Sequence, residues 1–284
     1  MSLQSLINSG DFLLMTNGMG DNNSSLTFDS NKSLKVIHNI SKDSDILITI
    51  KKGVCAKLFD IFNEVTSNVN VHITLEEASE LEYTSLRQSE SDIDYNVYVS
   101  LEKGANIIAR SVSLFKGQVH FINDIKMNGD ASNAESMDVV INASSKKQTF
   151  DYETLHLGNM STSTMRNFVI NKNSSITFMN TNGIIKKYTK GVVISQKTKG
   201  ILLDEMSEIS ANPVLTIDEY DCNASHGASI GAIDEEELYY LMSRGLTKEE
   251  SEKLIIGGFV SPFLSSLNDS KLQEEVKKII DKVL

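Results

Sequence analysis

Two residues near the end of the chain, Cys222 and His226, have the side chains best suited to bind a metal ion. They stand in C-x-x-x-H spacing within the polar segment DEYDCNASHGAS, which runs from Asp218 to Ser229. If this segment is extended, residues four apart share a face but lie about 13 Å from each other. That separation is too large for one ion, whose bonds to cysteine and histidine measure about 2.0–2.3 Å. Only a local helix or a sharp bend would join them, so we expect further ligands to come from a second chain.

The remaining histidines and cysteines form no second cluster. Cys55 lies far from Cys222, and no C-x-x-C pair occurs, so neither a disulfide framework nor a zinc knuckle is indicated. Reduced, partly buried thiols are the simpler interpretation of both cysteines. A lone histidine is also more often a hydrogen-bonded structural residue than a ligand, which is the alternative role for His226. The other histidines are dispersed along the chain: His38, His72, His120 and His156.

Several common functional motifs are missing from the chain. H-E-x-x-H, G-x-x-x-x-G-K-[ST] and G-x-G-x-x-G do not occur, so metalloprotease, phosphate-loop and dinucleotide-binding functions lack their parts. The formal net charge of −11 makes attraction to nucleic-acid phosphates or anionic lipid unfavourable. The first residues show no secretory signal pattern, and no apolar run is long enough to cross a bilayer. We therefore expect a cytoplasmic protein that binds neither nucleic acid nor membranes.

The elements that position these residues are mainly strands. From about residue 34 to residue 218, short apolar or alternating runs predict strands, and clusters of Asn, Ser, Asp and Gly between them predict turns. Only Gly53 to Glu64 has a brief helical pattern. An all-β region of this size is compatible with a sandwich, a barrel or a solenoid, and no strict repeat is visible to choose between them. Examples of the predicted strands are Asp45 to Ile50, Val69 to Leu75, Tyr95 to Leu101 and Val214 to Ile217.

The last part of the chain predicts three helices, and the polar segment from Asp218 to Ser229 is expected to connect the last strand to the first of them. Each predicted start is followed three residues later by Glu or Gln, as in a capping box. The starts are Asp234, Thr247 and Ser270, and Gly245 and Gly257 mark the ends of the first two helices. The third helix has an apolar stripe that either packs against the rest of this chain or binds a partner. The stripe consists of Leu272, Val276, Ile279, Ile280 and Val283.

A specific series of motifs runs from Asn212 to Leu264. In order, it contains L-x-I-D-E-Y-D ending at Asp221, A-S-H-G-A-S from Ala224, G-x-I-D-E-E-x-L-Y-Y-L-M-S-R-G from Gly231, and G-F at Gly258. This series resembles the C-terminal signature of the SufB/SufD family of SUF iron–sulfur cluster assembly proteins. Weaker matches to the same family lie upstream, at His156-Leu157-Gly158, Thr181-Asn182-Gly183 and Gln196-Lys197-Thr198.

The neighbours of His226 indicate which branch of that family the chain resembles. Members of the SufB branch carry acidic residues beside the equivalent histidine, whereas the neighbours here are Ser225 and Gly227. The resemblance is therefore closest to SufD.

The resemblance implies a mainly β fold, in which a right-handed parallel β-helix is followed by a small C-terminal α-helical domain. It places a short N-terminal segment at 1–33, the β-helix core at 34–230 and the helical domain at 231–284. The implied function is that of a non-ATPase scaffold subunit for iron–sulfur cluster assembly, not an enzyme. The implied partners are a SufB-like subunit along the β-helix and a SufC-like ATPase on the helical domain. Unpaired strand edges also allow a homodimer in isolation.

The resemblance also implies roles for particular residues. His226, at the edge of the last rung, would face the SufB-like subunit and contribute to a cluster site between subunits, with Cys222 as a second candidate. We expect a transient iron–sulfur cluster in the complex and no cofactor held stably by the isolated chain. For SufC docking, helical spacing favours Tyr240 and Arg244 as contacts and Tyr239 for packing within the helical domain.

Two other functions remain open from the sequence. A purely structural subunit would hold SufB-like and SufC-like partners in register without a cluster ligand of its own. A carbohydrate-active β-helix enzyme would need clustered carboxylates on one face and usually a secretory signal, and the first residues do not show that signal.

Overall fold

The computed structural model describes residues 13–17, 23–267 and 269–284, in which strands come first and helices follow. The strands are β1 (Leu13–Asn17), β2 (Asn23–Phe28), β3 (Lys32–Ile40), β4 (Ser44–Ile50), β5 (Cys55–Val65), β6 (Val69–Leu75), β7 (Glu80–Ser89), β8 (Ile93–Leu101), β9 (Asn106–Phe115), β10 (Val119–Met127), β11 (Asn133–Asn142), β12 (Lys147–His156), β13 (Thr162–Asn171), β14 (Ile176–Ile185), β15 (Val192–Leu202), β16 (Glu208–Ile217) and β17 (Cys222–Ala232). The helices are α1 (Glu235–Ser243), α2 (Lys248–Ser266) and α3 (Ser270–Asp281).

The strands alternate between two parallel sheets. The odd-numbered strands form a nine-stranded sheet in the order β1 to β17, and the even-numbered strands form an eight-stranded sheet in the order β2 to β16. Each strand pairs with the strand two places further along the chain, always in parallel. A chain that alternates in this way winds into a parallel β-helix, in which each rung adds one strand to each sheet. The expected parallel β-helix with helices after it is therefore confirmed.

The number of residues in a rung grows along the chain. In the nine-stranded sheet, Lys32 lies beside Ala56, an offset of 24 residues (56 − 32). Nearer the end, Thr162 lies beside Val193, an offset of 31 residues (193 − 162). Because the offset changes from rung to rung, apolar positions do not recur at a fixed period. The solenoid repeat is consequently hidden in the sequence.

One corner of successive rungs repeats the same backbone conformation. A residue there has a positive φ and donates its backbone N–H to a carbonyl oxygen of the following rung. This left-handed conformation suits glycine and costs other residues about 1–2 kcal/mol, so the stacked rungs must hold the alanines and the methionine in place. The residues in this column are Gly53, Ala78, Gly104, Ala131, Met160 and Gly191.

Apolar side chains fill much of the interior between the two sheets. An aromatic stack runs through it with neighbouring ring centroids 5.2 to 5.7 Å apart, and it consists of Phe62, Tyr95, Phe121 and Phe150. One buried ion pair lies beside this stack, with Arg87 Nη1 3.4 Å from Asp138 Oδ1. Burial raises the pKa of Asp138, and Arg87 opposes that rise.

Part of the outward face of the nine-stranded sheet is apolar and is covered by α2 and α3. Strand residues such as Ile61, Val112 and Val139 form one buried cluster with residues of both helices. The α3 stripe belongs to this cluster: Leu272, Val276 and Ile280 are buried, and Ile279 and Val283 are partly buried. The stripe therefore packs against this chain.

Two local expectations from the sequence are wrong. The segment Gly53 to Glu64 has a helical pattern, but residues 55–65 form β5. One face of this strand packs against the eight-stranded sheet and the other against the helices, so apolar residues occupy both faces and the alternation typical of a strand is lost. The second error concerns the segment Asp218 to Ser229, expected to be a connection, because residues 222–232 form β17.

Helix ends also differ in part from expectation. Helix α2 does not stop before Gly257 but continues through Pro262 to Ser266, because buried Val260 and Phe263 anchor its second half on the sheet. Helix α3 is capped by Asp269, not Ser270, and the Asp269 carboxylate accepts hydrogen bonds from two backbone N–H groups of the first turn. The expected capping box at Thr247 is present.

The N-terminal segment expected over 1–33 contains two strands of the solenoid, because residues 13–17 and 23–28 form β1 and β2. Residues 1–12 and 18–22 of that segment lie outside the described residues. At the other boundary, β17 ends at Ala232 and α1 begins at Glu235. In the described part of the chain, no helix has the length and apolar character needed to span a membrane.

Candidate functional site

The β-helix ends at an open rung formed by β16 and β17. In the described residues, β16 pairs only with β14 and β17 pairs only with β15, so each strand has one free edge. No residue of either strand is buried. The free edges present unpaired N–H and C=O groups, which form a template for pairing with another chain.

His226 lies on the inward face of this open rung. Its register neighbour in β15 is Gln196, and the neighbour of Gln196 in β13 is Met165. Gln196 and Met165 are buried, whereas His226 is exposed. Position 226 would become interior if another rung followed β17. The imidazole of His226 therefore faces whatever covers the end of the solenoid.

Cys222 lies on the same face, at the first residue of β17. It packs against the small apolar cluster around Val192, and its thiol donates a hydrogen bond to the carbonyl oxygen of Glu219 at 3.3 Å. His226 lies four positions after Cys222 in the extended strand, about 13 Å away, so the two do not share one ion. Among the described residues, no group of three or more His, Cys, Asp or Glu is placed to hold a metal ion.

Helix α1 follows the open rung and exposes most of its surface. None of its residues is buried, and Tyr240 is 55% exposed. Arg244 donates a hydrogen bond from Nη2 to the Tyr240 hydroxyl at 3.1 Å, and its guanidinium lies 5.1 Å from the centroid of that ring. Tyr239 is 75% exposed, so the expectation that it packs within the helical domain is wrong. The inner side of α1 is taken instead by Leu238 and Leu241, which are partly buried.

Comparison with known proteins identifies the family to which these features belong. A family model described as "SUF system FeS cluster assembly, SufBD core domain" matches residues 38–259, well over half of the chain. This chain belongs to the SufBD family. The match includes the open rung, His226 and the whole of α1.

Three curated relatives of this SufBD chain are named as assembly proteins. The iron–sulfur cluster assembly protein SufD of Bacillus subtilis is 31% identical over 160 residues, 56% of this chain and 37% of the relative. A SufBD family protein of Pyrococcus horikoshii is 40% identical over 101 residues, 33% of this chain and 22% of the relative. The SufD of Escherichia coli is 34% identical over 76 residues, 27% of this chain and 18% of the relative. The matched region thus spans well under half the length of each relative.

The upstream signature pieces of the SufBD chain lie inside the last rungs. His156 is buried, with Nδ1 2.7 Å from Ser161 Oγ and Nε2 2.9 Å from Ser163 Oγ. Burial lowers the pKa of His156 to about 4, so the ring is neutral at pH 7. Thr181 Oγ1 donates a hydrogen bond to Gln196 Oε1 at 3.3 Å and so joins the two sheets across the interior. These residues stabilise the rungs that carry β17.

Residues 227–231 of the SufBD chain read G-A-S-I-G, which matches the G-x-S-x-G pattern of many hydrolases. In those enzymes the serine sits on a strained turn between a strand and a helix. Here Ser229 lies within β17, and neither flanking glycine has a positive φ. The segment therefore lacks the geometry of a nucleophile elbow.

A cationic group beside the open rung has no motif that identifies it in the sequence. Arg166 in β13 and Lys197 in β15 are direct register neighbours, and Lys199 follows two residues later on the same outward face. The K-x-K spacing places both lysines on one face only if the segment is a strand. The K-x-K spacing therefore indicates a cationic face only after residues 192–202 are known to form β15.

Proposed function

We propose that this chain is a SufD-like, non-ATPase scaffold subunit for iron–sulfur cluster assembly, working in the cytoplasm. In this proposal it pairs with a SufB-like subunit through the open rung and docks a SufC-like ATPase on its C-terminal helices. The observation that carries the proposal is the open rung, where His226 stands on an inward face that no further rung of the described chain covers. Family membership and relatives named as iron–sulfur cluster assembly proteins support the same function.

The free edges of β16 and β17 support pairing with another β-helix subunit. A partner that ends in two strands of its own would continue both sheets and bury the inward residues of the open rung. Unpaired edges expose hydrogen-bonding groups and promote unspecific strand pairing. A specific partner would pair with these edges and so prevent aggregation of the isolated chain. A second copy of this chain can use the same edges when the SufB-like subunit is absent.

His226 supports a role for this junction in cluster assembly. A neutral imidazole nitrogen has a lone pair that binds iron, and iron–sulfur sites use histidine as well as cysteine ligands. The cluster is the cargo of the complex, held transiently between subunits. Cys222, partly buried and about 13 Å away along β17, is a separate candidate contact and not a second ligand to the same ion.

Helix α1 supports ATPase docking. Tyr240 and Arg244 are exposed, and their mutual hydrogen bond orients both side chains before a partner arrives. Tyrosine and arginine are over-represented among residues whose truncation costs most at interfaces. Tyr239, exposed beside them, joins this contact surface.

The second candidate function is a purely structural subunit, and one observation favours it. No described residue lies with His226 in a metal-binding group, so nothing in this chain alone requires His226 to bind iron. In that case the open rung would serve only to hold the SufB-like subunit in register.

Anaerobic co-purification separates the two candidates. The chain is co-expressed with the SufB-like and SufC-like subunits of the same organism, and the complex is assayed for iron and sulfide after reconstitution. We expect His226→Ala to leave the complex intact and lower the cluster yield, whereas His120→Ala, an exposed histidine on the eight-stranded sheet, keeps the wild-type yield. Equal yields for both variants would support the structural subunit. Failure of the wild-type chain to co-purify with either subunit would contradict the proposal.

A further inference from the structure

The outward face of the nine-stranded sheet has a cationic group next to its free edge. Its members are Arg166 in β13 and Lys197 and Lys199 in β15, with Arg166 and Lys197 directly beside each other in register. Within the described residues, neither lysine has an ion-pair partner, and Arg166 lies 3.4 Å from the carboxylate of Glu135. Two neighbouring lysines without an ion-pair partner are unexpected on a chain of net charge −11.

These cations surround an open groove of about 430 Å³, which Phe168 of β13 also lines. The ring of Phe168 stacks on that of Phe259 in α2 with centroids 5.0 Å apart, and the Lys199 ammonium lies 4.8 Å from the Phe259 centroid. The groove therefore has an apolar floor formed by Phe168, which Phe259 supports from the helix side, and a cationic rim.

The groove is open toward the free edge because β17 does not fill it. From residue 225 onward the outward residues of β17 are small, namely Ser225, Gly227, Ser229 and Gly231, and only Asn223 at its start is larger. Gly227 is the register neighbour of Lys197, and a Cβ atom added to Gly227 would meet nothing within 4 Å. Nothing on β17 thus separates the Lys197 side chain from the free edge.

Strand spacing lets these cations reach a strand added at that edge. An added strand would lie about 4.8 Å beyond β17 and so roughly 9–10 Å from β15. A lysine and a glutamate side chain together span that distance across Gly227. The first groups that an added strand meets on this face are consequently cations over an apolar floor.

We propose that this groove recognises acidic side chains at alternate, outward positions of the strand that adds to β17. The inference rests on the proposed pairing and specifies what the partner strand must carry. The groove would also distinguish a different subunit from a second copy of this chain, because β17 (Cys222–Ala232) contains no acidic residue. A second copy of this chain leaves the cations without counter-charges from its β17, whereas an acidic strand of a different subunit neutralises them. The groove thus favours the heteromeric pair over the homodimer.

The test compares charge reversals that change the net charge equally. The variant Lys197→Glu/Lys199→Glu and the control Lys42→Glu/Lys103→Glu, two exposed lysines away from the open rung, are titrated with the purified SufB-like subunit by calorimetry. Like charges brought together at an interface are strongly unfavourable, so we expect the groove variant to bind at least about thirtyfold more weakly and the control to stay within about twofold. Wild-type affinity should fall with added salt. Gly227→Met, whose Cβ atom would meet nothing within 4 Å, should place a side chain in the groove and also weaken binding at an unchanged melting temperature.

Self-association of each variant is followed by analytical ultracentrifugation. We expect the groove variant to self-associate as the wild type does. Equal heteromeric affinities for groove variant, control and wild type would overturn the recognition role and leave the proposed pairing standing. An equal loss of self-association and heteromeric binding in the groove variant would overturn the discrimination between partners. Absence of any binding between the wild-type chain and the SufB-like subunit would overturn the proposed pairing and this inference with it.

Discussion

His226 lies directly beside Gln196 in the register of β17 and β15, yet Gln196 is 3% exposed and His226 is exposed. Both side chains are on the inward face of the nine-stranded sheet. The difference arises because β17 covers Gln196, whereas no described strand follows β17. Gln196 thus belongs to the closed interior of the β-helix, and His226, with the same orientation one strand later, belongs to its open end.

This relationship predicts different stability effects for two similar truncations. Gln196→Ala removes the buried hydrogen bond with Thr181 and should lower the free energy of unfolding of the monomeric chain by about 1–3 kcal/mol. His226→Ala should change it by less than about 0.5 kcal/mol, since exposed side chains contribute little. Urea unfolding at a protein concentration that keeps the chain monomeric measures both. Similar losses for the two variants would show that His226 is already covered in the isolated chain.

Docking of the ATPase should depend on the exposed pair on α1. Truncating an interface anchor costs at least about 2 kcal/mol, so Tyr240→Ala/Arg244→Ala should weaken binding of the SufC-like ATPase about thirtyfold. Tyr220→Ala, which removes a fully exposed tyrosine from the corner between β16 and β17, is the matched control. Calorimetry gives the affinities, and circular dichroism checks that the helices persist. Binding of the folded double variant within twofold of wild type would place the docking surface elsewhere.

Gly158 should tolerate no side chain. A Cβ atom there would lie 2.1 Å from the carbonyl oxygen of Gly129 in the preceding rung, so backbone would have to move. We expect Gly158→Ala to lower the free energy of unfolding by about 3 kcal/mol. Gly231→Ala is the control, because a Cβ atom at Gly231 meets nothing within 4 Å. Chemical denaturation of both variants is the measurement, and a loss below about 1 kcal/mol for Gly158→Ala would contradict the close packing of the corners.

Buried His156 should make the chain less stable in mild acid. Burial lowers its pKa in the folded chain to about 4, and the unfolded pKa is 6.5, so protons bind more readily to the unfolded chain between these values. The contribution of His156 is therefore fully present above pH 6.5 and is lost as the pH falls toward 4. Between pH 7 and pH 5 the loss should be about 2 kcal/mol.

The variant His156→Gln provides the comparison for this pH dependence. It should be less stable than wild type at pH 7, because the imidazole bonds to Ser161 and Ser163 are changed. Its stability should nevertheless fall by about 2 kcal/mol less between pH 7 and pH 5. Urea titrations at pH 7, 6 and 5 measure the free energy of unfolding of both proteins. If it falls equally with pH in the variant and the wild type, His156 is not the source of the pH dependence.

The sequence alone determined the family and several local features. The ordered motifs from Asn212 to Leu264 indicated the SufB/SufD family, which the family-model match confirmed. The caps at Asp234 and Thr247 were readable because side-chain oxygens bind backbone N–H groups only a few residues away. These features depend on neighbours in the chain, so residue types and spacing are sufficient to predict them.

Tertiary contacts decided the elements that the sequence misassigned. β5 is apolar on both faces because the eight-stranded sheet covers one and helices the other, and a strand buried on both sides has no alternation to detect. Apart from Ile230, β17 consists of small and polar residues with weak strand preference, and its pairing with β15 makes it a strand. Helix α2 passes Gly257 and Pro262 because its buried face on the sheet outweighs their low helical propensity.

The candidate site shows the same division. Residue types at Cys222 and His226 indicated metal chemistry, and extended spacing already excluded a shared ion. Only the fold decided that both side chains face inward at an open end, and that Lys197 and Lys199 stand over an unfilled groove on the opposite face. Those facts depend on which strand lies beside which, and the rung offset rises from 24 residues between Lys32 and Ala56 to 31 between Thr162 and Val193. With no constant period along the chain, that register is set by packing between distant segments.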